Sequence, residues 1–150
     1  MSPSLPQPVS EPVSEPVSEP VSLSATARRL LDEPNFAVIA TLMPDGSPQT
    51  SAVWVARVGG DSVAFATTPT VKLANIRRDP RVSVTVYDRA DSYLELNLRG
   101  RVTSVDAAGG VALIDELSAL YYGKSPYPYH KPGETWFAVT IGIERWRTNR

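Results

Sequence analysis

The sequence predicts a mainly β (α+β) domain of six antiparallel strands forming a small barrel, flanked by short helices. Three observations carry this expectation. Short apolar runs rich in Val, Ile, Thr and aromatic residues recur with turn chemistry between them. Only two segments have helical spacing over a useful length. One of those two makes the single long crossover, and the other connections are hairpin-like, whereas a doubly wound sheet would alternate strands and helices throughout.

Ser24 is placed to cap a first helix carrying Ala27, Leu30 and Leu31, which Pro34 stops. "NFAVIATL" (35–42) is apolar on both faces, as expected of a strand buried in a barrel or covered by a partner. "MPDGSP" (43–48) turns the chain, and "QTSAVWVARV" (49–58) returns as the second arm of a hairpin. "GGD" (59–61) leads into strand "SVAFAT" (62–67). A single helical turn ended by Pro80 connects it to "VSVTVY" (82–87). "DRAD" (88–91) turns into the long strand "SYLELNLRGRVTSV" (92–105), with Leu94, Leu96 and Leu98 on one face and Tyr93, Glu95, Asn97 and Arg99 on the other. Gly100 is the expected place for a bulge or sharp bend. Asp106 is placed to cap a helix with Leu113, Leu117, Leu120 and Tyr121 on one face, ending at Gly123. "KSPYPYHKPGE" (124–134) carries three prolines and cannot be regular, and "TWFAVTIGIERW" (135–146) is the sixth strand.

Residues 1–22 stand apart from this domain, which spans 23–150. They hold six of the 14 prolines, no aromatic residue, and a "QPVS" followed by three "EPVS" repeats. Proline at every fourth position denies helix and ladder bonds alike, so the expectation is a disordered, polyproline-like arm. The arm contains Glu11, Glu15 and Glu19 and no base. Beyond it the 15 basic residues therefore face 13 acidic ones, against a formal charge of −1 for the whole chain. That balance is too mild for a protein that coats nucleic acid. There is no cysteine, which excludes disulfides, thiolate metal sites and thiol catalysis. No secretory pattern and no apolar run of about 20 residues is present, so a soluble cytoplasmic protein with no membrane partner is expected.

Several enzyme classes drop out on their motifs. The chain lacks G-x-S-x-G, a Walker loop, G-x-G-x-x-G and H-E-x-x-H. Its one histidine, His130, cannot build a multi-histidine centre and reads as a polar loop residue, so no metal site is expected. "YPYHK" (127–131) satisfies Y-x-x-x-K, but Pro128 and the missing glycine fingerprint remove it from the dehydrogenases that use this pattern on a helix.

What survives is "TTPTVKLANIRRDPR" (67–81), where Lys72, Arg77, Arg78 and Arg81 fall within ten residues. Thr67 and Thr68 offer hydroxyls at a strand end, and the following turn offers free backbone N–H groups. With Lys72 near its start and Asn75, Arg77 and Arg78 further along, the stretch suits a phosphate or carboxylate. A solvated basic face paired with Asp79 or Asp88 fits the same spacing, and spacing does not choose between them. Nucleic-acid binding fits less well, because no aromatics are interleaved with the bases.

"FATTPTVKLANIRRDPRVSVTV" resembles the pyridoxamine 5′-phosphate oxidase-like split-barrel family, most specifically in its F-x-T-x-x-x-x-K-x-x-N-I-x-x-D-P-R-V run. "ATLMPDGSPQTSAVWV" resembles that family's first hairpin and "LNLRGRV" its strand after the basic turn, with "ALYYGKSPYP" and "IERW" as weaker matches. The resemblance covers about residues 25–147, and order and spacing fit best the subgroup that uses the deazaflavin coenzyme F420. It implies an FMN-binding type of split β-barrel and a homodimer with the cofactor at the subunit interface. The implied activity is hydride transfer from reduced F420 to a small unsaturated or carbonyl-bearing substrate. FMN is the alternative cofactor, in an oxidase or flavin reductase, and a non-catalytic flavin- or haem-binding barrel is a further alternative.

Carried over onto this chain, Thr67 and Lys72 match phosphate-binding positions, with Thr68, Asn75, Arg77 and Arg78 as neighbours. Ser51, Ala52, Val53 and Trp54 match the segment that lines the ring through backbone groups. Glu95 and Asn97 match a strand bordering the site. Tyr122, Lys124, Tyr127 and Trp136 are weaker matches, with Trp136 expected in the core. No catalytic acid or base is implied.

Overall fold

A computed structural model describes residues 21–150. The arm expected over 1–22 lies outside the described residues except for Val21 and Ser22, and Val21 packs against the core. The elements run α1 (Ala25–Asp32), β1 (Phe36–Leu42), β2 (Pro48–Val53), β3 (Ala56–Val58), β4 (Ser62–Thr67), α2 (Val71–Arg78), β5 (Arg81–Tyr87), β6 (Glu95–Asp106), α3 (Gly110–Tyr122) and β7 (Phe137–Thr148). No helix among the described residues is long and apolar enough to cross a membrane.

All seven strands form one antiparallel sheet in the order β2-β1-β5-β6-β7-β4-β3. This corrects the expected six-stranded barrel. The run 49–58 is not one strand: its first half pairs with β1 and its second with β4, so the ladder breaks at Trp54 and Val55. Apolar residues run unbroken from Ala52 to Ala56 through the break in the sequence, which hides the change of partner. The consequence is geometric. β2 and β3 end the sheet on opposite sides, yet two residues link them, a span of roughly 10 Å at most. The sheet therefore rolls until its two edges approach, while no ladder joins them among the described residues.

The inner face of the roll carries Ile39, Phe65, Val84, Val86, Leu96, Leu98 and Ile141, each with essentially no exposure. Helix α1 plugs this core with Ala27, Leu30 and Leu31, its first turn capped by Ser24 Oγ accepting from Ala27 N at 3.1 Å. Full burial of Leu30 and Leu31 stabilises by about 1.5–3 kcal/mol each, which makes α1 part of the core and no mere appendage.

Helix α2 is two turns, longer than the single turn expected, because Leu73 and Ile76 anchor it in the core. α3 starts at Gly110, beyond the expected Asp106 cap: the Asp106 carboxylate instead accepts from Ala108 N at 2.9 Å in the turn before the helix. The helix ends as expected at Gly123, whose φ of 75° is the left-handed closing conformation. The bulge expected at Gly100 is present, with the β6–β7 register shifting between Arg99 and Gly100. A Cβ there would lie 2.0 Å from the Gly142 carbonyl oxygen, so only glycine allows the strands this close.

Candidate functional site

The approach of the two sheet edges leaves a cavity of about 520 Å³. One side is the start of β1 and the end of β2. The other is the end of β4 with the start of α2. α3 and the segment before β7 roof it. Because β2 pairs only with β1 among the described residues, its outward backbone groups near Ala52 and Val53 have no ladder partner there on the cavity's side.

The β4–α2 corner is polar. Thr67 is buried, and its hydroxyl lies 2.8 Å from the Thr68 carbonyl oxygen and 3.1 Å from Thr70 Oγ1. Thr70 stands at the N-cap of α2 without capping it, which leaves the first-turn N–H groups without that side-chain acceptor. Lys72 lines the cavity half-buried, with no ion pair among the described residues, and burial lowers its pKa below the ordinary lysine value. The Thr67 hydroxyl donates to the Thr68 carbonyl, so the donors that converge here for an anion are the Thr68 hydroxyl, the helix-start amides and Lys72.

The other cations of the stretch diverge from the cavity wall. Arg78 donates to the Leu42 carbonyl and to Asn75 Oδ1, each at 2.7 Å. Asn75 is buried and donates to Thr41 Oγ1 at 3.0 Å, so this pair fastens α2 to the β1–β2 hairpin. Arg77 lies over the Phe137 ring, 4.9 Å from its centroid. Arg81 is bound to Asp79 at 2.7 Å, and that hydrogen bond holds the Asp79 carboxyl at about 2. Of the expected residues, the structure brings Ala52, Val53, Trp54, Thr67, Thr68 and Lys72 together on the cavity wall. Ser51 sits further down β2, opposite Ile39, and Asn75, Arg77 and Arg78 do not line the wall.

The facing wall is aromatic. Trp54 stacks on Tyr121 with centroids 5.4 Å apart, and Tyr127 meets the Trp54 and Trp136 rings edge-on. Trp136, expected in the core, lines the cavity half-buried, its indole N–H donating to Glu134. Asp115 on α3 secures this segment by accepting from Tyr127 N and meeting His130 Nε2, both at 2.8 Å. Burial works to raise the Asp115 pKa, but these two hydrogen bonds together with the charge interaction with His130 outweigh it and hold the carboxyl below its ordinary value. Tyr122 and Lys124 lie outside the cavity, with the ammonium 5.5 Å from the Tyr122 centroid. Glu95 and Asn97 also lie off the cavity, on the outer face of β6.

Four residues that sequence reasoning did not assign to a site line the cavity at its third corner: Asn35, Phe36, Tyr87 and Arg89. Buried Asn35 donates to the Leu30 carbonyl and accepts from Arg89 N at 2.8 Å. Phe36, 50% exposed, stacks on Tyr87 and carries the Arg89 guanidinium 5.3 Å from its ring centroid. A large aromatic opening β1 beside a buried amide was the available signal. Tyr121 was legible only as part of the α3 apolar stripe.

The family model described as pyridoxamine 5′-phosphate oxidase matches residues 23–149. Among solved structures, one described as an F420 reductase is 28% identical with a TM-score of 0.71, the match covering 80% of this chain and 94% of that one. A protein of unknown function from Agrobacterium tumefaciens is 25% identical with a TM-score of 0.65, over 89% of this chain and 60% of that one. A conserved hypothetical protein from Mycobacterium tuberculosis, 21% identical with a TM-score of 0.67 over 90% and 89% of the two chains, shares the fold. Among curated proteins none matches the chain.

Proposed function

The chain belongs to the pyridoxamine 5′-phosphate oxidase family, and on that premise we propose that it is an F420-dependent reductase acting on a small unsaturated or carbonyl-bearing organic molecule. The observation that carries the reading is one cavity joining the anion corner at Thr67, Thr68 and Lys72 to the aromatic wall of Trp54, Tyr127 and Trp136. A volume of about 520 Å³ is within the ordinary range for cofactor and small-ligand sites. The 28% identity to an F420 reductase favours the deazaflavin over other ring cofactors.

The residues present fit such a group. Lys72 and the start of α2 would take its phosphate, unpaired backbone groups of Ala52 and Val53 its ring edge, and the aromatic wall would exclude water from the ring face. The bound cofactor supplies the hydride. What remains for the chain is orientation and a proton. The Tyr121 hydroxyl is committed to Val55, whereas Tyr127 lines the cavity with its hydroxyl unpartnered among the described residues. We assign proton delivery to the Tyr127 hydroxyl.

The split-barrel homodimer belongs to the same proposal. The outer face of β1 presents Phe36, Val38 and Ala40, apolar and only partly covered, beside the cavity. A second protomer on that face would cover them and deepen the site.

FMN is a second reading, favoured by one observation: Arg77, Arg78 and Arg81 are engaged elsewhere, which leaves Lys72 as the cation of the basic stretch on the cavity wall. One cation suits a single phosphate. Parallel equilibrium titrations with F420 and FMN test the proposal. Tighter binding of F420, with oxidation of its reduced form in the presence of a small quinone, is expected. Tight FMN binding with none for F420 overturns the deazaflavin assignment.

A further inference from the structure

The third corner of the cavity holds a cation to which the cofactor gives no task. Arg89 lines the wall there beside Asn35, Phe36 and Tyr87, where β1 begins and β5 ends. Two carboxylates flank it in the turn after β5, and both are committed. Asp88 accepts from Arg29 at 3.1 Å and from Ala90 N at 2.8 Å, while Asp91 accepts from Arg150 at 2.6 Å. Arg89 itself has no ion pair among the described residues. No aspartate or glutamate lines the cavity either, so its two cations, Lys72 and Arg89, stand on the wall without a facing acid.

The corner is built from the core outward. Arg89 N donates to Asn35 Oδ1 at 2.8 Å, and the buried Asn35 amide is fixed in turn by donating to the Leu30 carbonyl at 2.9 Å. The arginine therefore rises from a backbone tied to the α1 plug. Phe36 and Tyr87 stand directly opposite each other in the β1–β5 ladder, their rings stacked with centroids 5.5 Å apart. The guanidinium lies 5.3 Å from the Phe36 centroid, a contact that holds its head group over the ring. The result is an aromatic shelf with a fork of N–H donors at its edge, and such a fork matches the two oxygens of a carboxylate. The charge is also felt across the cavity. Burial raises the Tyr121 pKa most, while the Val55 bond and the Arg89 charge work against it.

We propose that Arg89 selects the substrate, and that the molecule reduced here is a small, planar, unsaturated carboxylic acid. Its carboxylate is gripped by Arg89 and its apolar body rests on Phe36 and Tyr87. This assignment rests on the reductase reading of the cavity and adds the substrate's charge to it. It needs no free surface, since Arg89 lines the cavity itself, and a second protomer over Phe36 would wall the corner further.

Calorimetric titration of the full-length protein with trans-cinnamate and with its neutral amide, cinnamamide, each with and without saturating F420, tests it. The expected result is one cinnamate site per protomer, with an affinity about tenfold or more above that of cinnamamide. Arg89→Gln abolishes that preference, leaves cinnamamide and F420 affinity unchanged, and keeps the parent melting temperature. Arg89→Lys restores part of the preference. Arg81→Gln, a change to a cation held by Asp79, alters none of these. Failure of F420 to bind the parent protein would remove the reductase reading, while the cofactor-free titrations still judge Arg89. Equal affinity for the acid and its amide, binding of neither, or a preference that survives Arg89→Gln overturns the proposal. A lowered F420 affinity in Arg89→Gln assigns the arginine to the cofactor's acidic tail and likewise overturns it.

Discussion

The Tyr121 hydroxyl lies 3.2 Å from both the backbone nitrogen and the carbonyl oxygen of Val55, accepting from one and donating to the other. Val55 sits where the chain leaves β1's partner and joins β4's, so the ladder has no bonds to give it, and it is almost fully buried. A side chain of α3 therefore completes the strand break that rolls the sheet, and the same residue supports Trp54 on the cavity wall.

Tyr121→Phe should destabilise the fold by about 1–2 kcal/mol, because it strands two buried backbone groups at once. The effect has a pH signature. Burial raises the Tyr121 pKa above its ordinary 10.0, more than the Val55 bond and the charge of Arg89 lower it. A folded value above the unfolded one means the contribution is complete below pH 10.0 and is lost as pH rises through the folded value. Urea denaturation on either side of that pH should show the loss in the parent protein, with a smaller loss in Tyr121→Phe.

Asn75→Ala should cost about 1–3 kcal/mol of stability, since it removes a buried amide that binds Thr41 and receives Arg78. Denaturation monitored by circular dichroism checks this. Arg78→Ala should lower stability in the same direction, by loosening α2 from the Leu42 carbonyl.

The α1 plug, the β4–α2–β5 unit and the Gly100 bulge were legible because each rests on local signals: a serine cap, a proline stop, strict alternation, a glycine mid-strand. The break at Trp54–Val55 was not, since an apolar run from Ala52 to Ala56 passes through it and only the tertiary choice of partner interrupts the strand. The site divides the same way. Thr67, Thr68 and Lys72 are close in sequence and stay together in space, so their shared chemistry could be read directly. Asn35, Phe36, Tyr87 and Arg89 meet them only after the sheet rolls. The four cations that looked like one patch separate because helical spacing sends Lys72 and Arg78 to different sides of α2, one to the cavity and one to the hairpin.

Deleting residues 2–20 should leave the melting temperature and cofactor affinity unchanged, since that composition offers almost no surface to bury. Extending the deletion through Leu23 should destabilise by about 1.5–3 kcal/mol, because Leu23 is buried and Val21 packs on the core. Parallel thermal melts of the two truncations check the boundary.

If the Thr67–Lys72 corner holds the anionic part of a deazaflavin, titration of F420 into the parent protein and into Lys72→Ala reads that contact out. A charge-assisted hydrogen bond from Lys72 is worth roughly 1.5–3 kcal/mol, so the substitution should weaken F420 binding by about ten- to a hundredfold. The melting temperature should barely change, because Lys72 has no ion pair among the described residues to lose. A folded Lys72→Ala protein that binds F420 as tightly as its parent would show that this corner does not hold the deazaflavin's anionic part.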